Sequence, residues 1–307
     1  MKGLELSRRF FEEFGKPLLQ QIPGGDSVAA GLCGEGSECF GFDDSVSRDH
    51  DFGPAFDLLV PDTFDPDLRR QLEDAYRHLP SEFAGIGYAL RTPQAADRHG
   101  VHSVGEFFVR FTGKPRGPET WQDYLYTPDS FFAAATNGEI FATGDGTAEA
   151  IRTRIRTGMP EDVRRKKIAT RAFRMAQAGQ YNYTRCHTHG EDAAAVLAKQ
   201  EFAQNGCELI FLLNRRFSPF YKWMFRAARQ LPLCTDAVLR LETLLVSGED
   251  RHTQNARDIE FISAVVIDEL RRQNLSNSTA DYLEPHAHAV AAQIQNPEIS
   301  ALHLLEG

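Results

Sequence analysis

The chain is poor in cysteine, tryptophan and net positive charge, and each shortage excludes something. Its five cysteines, Cys33, Cys39, Cys186, Cys207 and Cys234, are odd in number and widely spaced, and no C-x-x-C pair occurs. That argues against a paired-thiol zinc site or a dithiol redox centre and points to a reducing compartment. No uncharged apolar stretch approaches the roughly 20 residues that a membrane span needs, and MKGLELSRRFFEEFGKPLLQ at the start lacks the apolar core of a signal peptide. A cytoplasmic protein with no membrane partner is expected. The 34 Lys and Arg against 43 Asp and Glu leave a net charge of -9, which opposes binding along a phosphate backbone. A long nucleic acid is therefore not an expected partner.

Several signatures are missing as well. Cys39 occupies the third glycine position of the G-x-G-x-x-G pattern begun at Gly34, and neither a P-loop nor a G-x-S-x-G elbow is present. Ten histidines include Cys186-His187-Thr188-His189 and His286-Ala287-His288, but neither has a matching second ligand pair or an H-E-x-x-H pattern, so zinc is not expected. What remains is an ordinary globular composition, 42% hydrophobic and 25% charged, on 307 residues, enough for two domains.

Along the chain, apolar residues from Leu4 to Leu19 follow helical spacing until Pro23-Gly24-Gly25 breaks the pattern. SVAAGLC, residues 27–33, reads as a short buried strand that runs directly into Gly34-Glu35-Gly36-Ser37. Residues 55–60 read as a second core strand and TFDPDLRRQLEDAYRHLP as a helix. Residues 85–91 and 100–109 are further strand candidates, the second with a helix starting near Phe107 as its alternative. From about Ala148 onward every apolar segment has helical rather than alternating spacing. Strand, loop, strand and helix begin an α/β or α+β fold over residues 1–147, and a helical domain over 148–307 is expected to follow.

The chemistry-bearing stretch is Gly36-Ser37, eleven residues, then Asp49-His50-Asp51. In a strand, side chains at i and i+2 leave the same face about 6.6 Å apart along the chain. Asp49 and Asp51 then converge on one or two hard cations, for which Mg²⁺ is the natural choice beside substrate phosphates. Glycine and serine in the preceding turn offer backbone N–H and hydroxyl donors to a triphosphate. An isolated D-x-D pair is ordinarily a solvated loop, but here an apolar strand and a Gly-Ser turn precede it and Phe52 and AFDLLV follow it.

A Gly-Ser turn, a short spacer and D-x-D on a strand resemble the motif of the polymerase β-like nucleotidyltransferase superfamily. GSECFGFDDSVSRDHDFGP, GEIF, GQYNYTRCHTHGED, FLLNRRFSPFYKW and FRAARQLP are also similar to a bacterial domain-of-unknown-function family of predicted nucleotidyltransferases. The resemblance implies an α+β fold, a polymerase β-like domain with a mixed sheet and flanking helices over residues 1–147 followed by an all-helical domain over 148–307, and transfer of a nucleoside monophosphate from an NTP to a hydroxyl of a small molecule or protein, with pyrophosphate released. It implies Gly36 and Ser37 as the phosphate turn, Asp49 and Asp51 as ligands of two Mg²⁺ ions, and a third carboxylate on a neighbouring strand. The sequence shows that third acid only as Glu106, with His102 at another plausible position. Without it, a nucleotide-binding regulatory protein lacking turnover is the alternative, or a base comes from the helical domain. There Arg185 is a candidate phosphate or substrate contact and Glu191 a candidate base, against the simpler reading of both as helix-end residues. Lys222, between Tyr221 and Trp223, suits a triphosphate and a stacked base, or else snorkels from an aromatic core. The run Arg164-Arg165-Lys166-Lys167 reads as a solvated helix face or an anionic-substrate surface.

Overall fold

The structure is a computed structural model that describes residues 1–47, 52–87 and 98–307. The leading amphipathic segment forms α1 (Gly3–Phe10), one turn of π-helix (Phe11–Gly15) and α2 (Lys16–Gln21). It buries Leu6, Phe10 and Phe11 against Ala30, Leu58 and Val60 of the sheet and against Val28 and Phe56, which lead into its strands. Gly15 is what lets the layers meet: a Cβ there would lie 2.5 Å from the Phe11 ring and 2.7 Å from the Phe56 ring.

The sheet is small and mixed. Strand β1 (Ala29–Leu32) pairs antiparallel with β2 (Asp57–Val60), setting Ala30 opposite Leu58 and Gly31 opposite Asp57. Helix α3 (Pro66–Arg77) starts at an Asp65 cap that accepts from the Asp67 and Leu68 N–H groups, with Pro66 at the first helical position. A two-stranded hairpin, β3 (Glu82–Phe83) and β4 (Ile86–Gly87), turns at Ala84 and Gly85, both with positive φ. Residues 88–91, the rest of that expected strand, lie outside the described residues. Strand β5 (Val101–Ser103) runs parallel to β2 and sets His102 opposite Leu59. It gives way at once to α4 (Val104–Thr112), because Ser103 and Glu106 form a reciprocal capping box. The helix alternative for residues 100–109 thus holds from Val104, three residues before Phe107.

Beyond α5 (Trp121–Tyr126) and α6 (Asp129–Thr136), β6 (Glu139–Ala142) pairs antiparallel with β1 across a bulge, giving the order β5-β2-β1-β6. Helix α7 (Thr147–Thr157) follows. The chain divides into two compact units, Met1–Glu119 with Phe131–Gly158, and Thr120–Ser130 with Met159–Gly307. The division expected at 147/148 falls at the start of α7, which stays with the first unit.

The rest of the second unit comprises α8 (Glu161–Met175), a π-helix (Ala176–Tyr183), α9 (Thr184–Thr188), α10 (Asp192–Leu213), α11 (Tyr221–Ala228), α12 (Thr235–Val246), α13 (His252–Arg272), α14 (Leu283–Ala291) and α15 (Pro297–Ala301). Its core gathers Ile168, Phe202, Ile210, Leu241, Ile262 and Val290 from five of these helices. The basic run of α8 is neither a solvated face nor an anion surface. Arg164, Lys166 and Lys167 are buried, with Lys167 paired to Asp129 at 2.6 Å and Lys166 donating to the Leu302 and His303 carbonyls. Among the described residues no helix is long and apolar enough to cross a membrane.

Candidate functional site

The sequence focuses attention where β1 ends. Its last carbonyls and N–H groups face β2 and β6, and the chain then turns through Gly34, whose φ of +120° suits glycine. The Gly34 N–H donates to Asn137 Oδ1 at 2.9 Å, and Asn137 Nδ2 returns a bond to the Gly34 carbonyl. From Gly36 the backbone closes a compact turn: Cys39 N–H donates to the Gly36 carbonyl at 3.1 Å and Phe42 N–H to the Ser37 carbonyl at 2.8 Å. Both Ser37 and Glu38 are buried in it, and Ser37 Oγ donates to Glu38 Oε2 at 3.3 Å.

A buried ionic network backs this turn. Glu38 lies 3.2 Å from Arg98 and 3.9 Å from His99 Nε2, while His99 Nδ1 lies 3.0 Å from Asp57 Oδ1. Asp57 Oδ2 accepts from the Cys33 N–H at 3.2 Å, tying β2 to the end of β1. Burial alone would raise the Glu38 carboxyl, but His99 and Arg98 outweigh it and hold it down at about 2. Burial would likewise neutralise His99, but Asp57 and Glu38 keep it up at about 9, so it is an imidazolium at neutral pH. At Gly36 a Cβ would sit 2.0 Å from Glu38 Oε1 and 2.1 Å from Arg98 Nη2, so a larger residue there would have to displace the Glu38–Arg98 pair. Cys33 is no nucleophile: burial pushes its thiol up to about 12 although Arg152 donates to its sulfur at 2.8 Å.

The expected site residues fall in different places. Gly36 and Ser37 form the turn just described. Asp49 and Asp51, the expected metal ligands, lie outside the described residues. Glu106 caps α4, where it accepts from the Ser103 N–H and from Arg69 at 2.8 and 3.1 Å; Arg69 pulls its carboxyl below the ordinary range. His102 on β5 is different. Burial lowers its affinity for a proton, and its Nε2 has no hydrogen-bond partner among the described residues.

Arg185, Glu191 and Lys222 belong to the second unit. Arg185 lies over the Tyr181 ring at 4.9 Å, Glu191 is exposed just before α10, and Lys222 is exposed beside the Trp223 ring. Phe220 and Tyr221 are exposed rather than core. Sequence reasoning passed over Glu38, Asp57, Arg98 and His99. The available signal was Asp57 itself, a carboxylate in the middle of AFDLLV that needs a buried partner.

Residues 124–224 match the family described as Domain of unknown function (DUF4037). No curated protein and no solved structure matches the chain. The matched span covers the π-helix, α9 and α10 but not the Gly36-Ser37 turn.

Proposed function

We propose that the chain is a nucleotidyltransferase, moving a nucleoside monophosphate from an NTP to a hydroxyl of a small molecule or protein. The observation that carries this reading is the buried Gly36-Ser37 turn closing the end of β1 beside β2, with Asp49 and Asp51 in the segment that connects them in sequence. The acceptor oxygen bonds to the α-phosphorus, the bond from that phosphorus to the β-phosphate oxygen breaks, and pyrophosphate leaves. Backbone N–H groups of the turn hold the β and γ phosphates in this reading, and the Ser37 hydroxyl turns its proton from Glu38 to them.

The ligands this reading assigns to Mg²⁺ are Asp49 and Asp51, from their D-x-D spacing after the Gly-Ser turn. Their hard carboxylate oxygens suit the ion, which when bound supplies neutralising charge to the phosphates. The hydroxyl proton needs an acceptor, and this reading assigns it to His102, whose buried Nε2 has no hydrogen-bond partner among the described residues, rather than to Glu106, which is committed to Ser103 and Arg69.

Replacing Asp49→Asn together with Asp51→Asn should abolish Mg²⁺-dependent NTP binding in equilibrium dialysis while leaving the circular dichroism unchanged. Undiminished binding would count against the reading. The commitment of Glu106 to Ser103 and Arg69 favours a second reading, nucleotide binding without turnover. Incubation with labelled ATP, GTP, CTP and UTP, Mg²⁺ and cell extract separates the two, since only a transferase releases pyrophosphate and leaves a labelled product.

A further inference from the structure

Where α10 passes into α11, the second unit shows aromatic and basic side chains to water. Between Glu208 and Asp236 the sequence has no acidic residue, while Arg215, Arg216, Lys222, Arg226 and Arg229 fall in that stretch. The basic run of α8 is largely buried; here Arg215, Arg216, Lys222 and Arg229 are exposed. Two of them are neutralised, since Arg215 lies 3.0 Å from Glu161 and Arg229 lies 2.7 Å from Glu242. Arg216 and Lys222 have no carboxylate partner among the described residues.

Local structure accounts for the display. The Arg216 N–H donates back to the Phe211 carbonyl at 3.0 Å as α10 ends, and Asn214 ties that end to Leu233, donating to its carbonyl at 3.3 Å and accepting its N–H at 3.1 Å. Ser218 and Pro219 are buried, so the connection is anchored. Helix α11 turns Met224 and Ala228 into the core, which leaves its first residues outside. Phe220 is 56% exposed and Tyr221 75%, with ring centroids 4.2 Å apart, and Lys222 Nζ lies 5.1 Å from the Trp223 ring centroid. Exposed apolar residues occurring singly are ordinary. An adjacent pair of exposed rings flanked in the chain by two unneutralised cations contributes nothing to the core and has a use only at the surface.

The two chemistries select the partner together. The cations attract phosphate or carboxylate, and the rings offer flat apolar faces. An acidic peptide satisfies the cations and leaves the rings without a partner. A bilayer surface requires an apolar helix face, and α11 has turned its own into the core. A nucleic-acid duplex offers phosphates but keeps its base faces within the stack. Unpaired nucleotides offer both, and RNA carries them in loops, bulges and ends as part of its ordinary structure. We infer that the α10–α11 connection and the first turn of α11 form a docking surface for single-stranded RNA, with Phe220 and Tyr221 stacking on unpaired bases and Arg216 and Lys222 meeting phosphates. The net charge of -9 opposes this only as an average, because charges more than about 8 Å away are largely screened at physiological salt and a strand meets the local excess.

This surface needs neither NTP nor metal, so its test is independent of the proposed transfer. Fluorescence anisotropy of the full chain in EDTA uses labelled oligouridylate of about twelve nucleotides at about 50 mM salt, where phosphate contacts are strong. The oligonucleotide should bind, and a blunt RNA duplex of the same length should bind about tenfold more weakly. Phe220→Ala with Tyr221→Ala should weaken oligouridylate about tenfold or more, the scale of one lost base stack. Arg216→Gln and Lys222→Gln should each reduce the slope of log affinity against log salt by about 0.7, the share of one phosphate contact on a single strand. All four side chains are exposed, so these variants leave the fold intact. Four outcomes would overturn the inference: no binding of oligouridylate at about 0.1 mM chain, unchanged affinity in the double ring variant, polyglutamate competing as well as unlabelled RNA, or tighter binding of oligothymidylate DNA or phosphatidylserine vesicles than of oligouridylate.

Discussion

At the scale of single residues, the charges that matter most are those hidden from water. His99, raised to about 9 from an ordinary 6.5, contributes fully to folding below 6.5, and that contribution fades as pH rises through 9. Glu38, lowered to about 2 from 4.5, contributes above 4.5 and loses its contribution as pH falls towards 2. The network behind the Gly36-Ser37 turn is therefore strongest between about pH 4.5 and 6.5. Urea denaturation across pH should show stability declining towards pH 9, and His99→Gln should flatten that limb. Lys167 poses the same issue in the second unit. It is 2% exposed and paired with Asp129, so Lys167→Ala strands a buried carboxylate. A loss of about 3–5 kcal/mol is expected in chemical denaturation, against less than about 0.5 kcal/mol for Lys222→Ala on the surface. The burial of Arg164, Lys166 and Lys167 was not legible in RRKK, because a basic run on a helix has the same sequence whether water or protein covers it.

At the scale of elements, the informative case is the π-helix. Gly179 sits inside it, and a Cβ there would come within 2.3 Å of the Phe202 ring, which is fully buried on α10. Alanine normally gains up to about 1 kcal/mol over glycine within a helix, but a clash with a closed-in ring costs about 1–3 kcal/mol. Gly179→Ala should therefore destabilise the chain by about 1–2 kcal/mol in urea denaturation, opposite in sign to the propensity rule. The sequence marked GQYNYTRCHTHGED as unusual without revealing why. The sequence leaves open a helix, which sends Gln180, Tyr183 and Arg185 to different faces, or a break at Gly179 or Gly190; in the structure Gln180 bonds Glu260, Tyr183 is buried on Glu249, and Arg185 covers Tyr181. It did not anticipate that Glu249 and Lys199, dozens of residues away, would meet His187. The strands were easier. Short apolar runs bounded by glycine and proline located β1 and β2 to within two residues, whereas β5 was shortened by the Ser103 cap, a local hydrogen bond that outcompetes strand pairing.

At the scale of the whole molecule, the two units bury different kinds of sequence. Phenylalanines of the leading helix cover the sheet in the first unit, and a helical lattice of leucine, isoleucine and alanine fills the second. Periodicity determined where the main strands and the helical C-terminal part lie, because burial of one face imposes its period on the residues, whereas only strand pairing in the folded chain made the sheet small and mixed. Residue type alone also singled out Gly36 and Ser37, since a tight turn after a buried strand restricts which side chains fit. Tertiary structure decided which charges pair across long separations: Glu38 with Arg98, Asp57 with His99, Lys167 with Asp129, and Glu249 with Lys199 and His187. Such pairs have no period and no fixed spacing. They exist because removing a charge from water is costly unless an opposite charge arrives with it, and only the folded chain brings the two together.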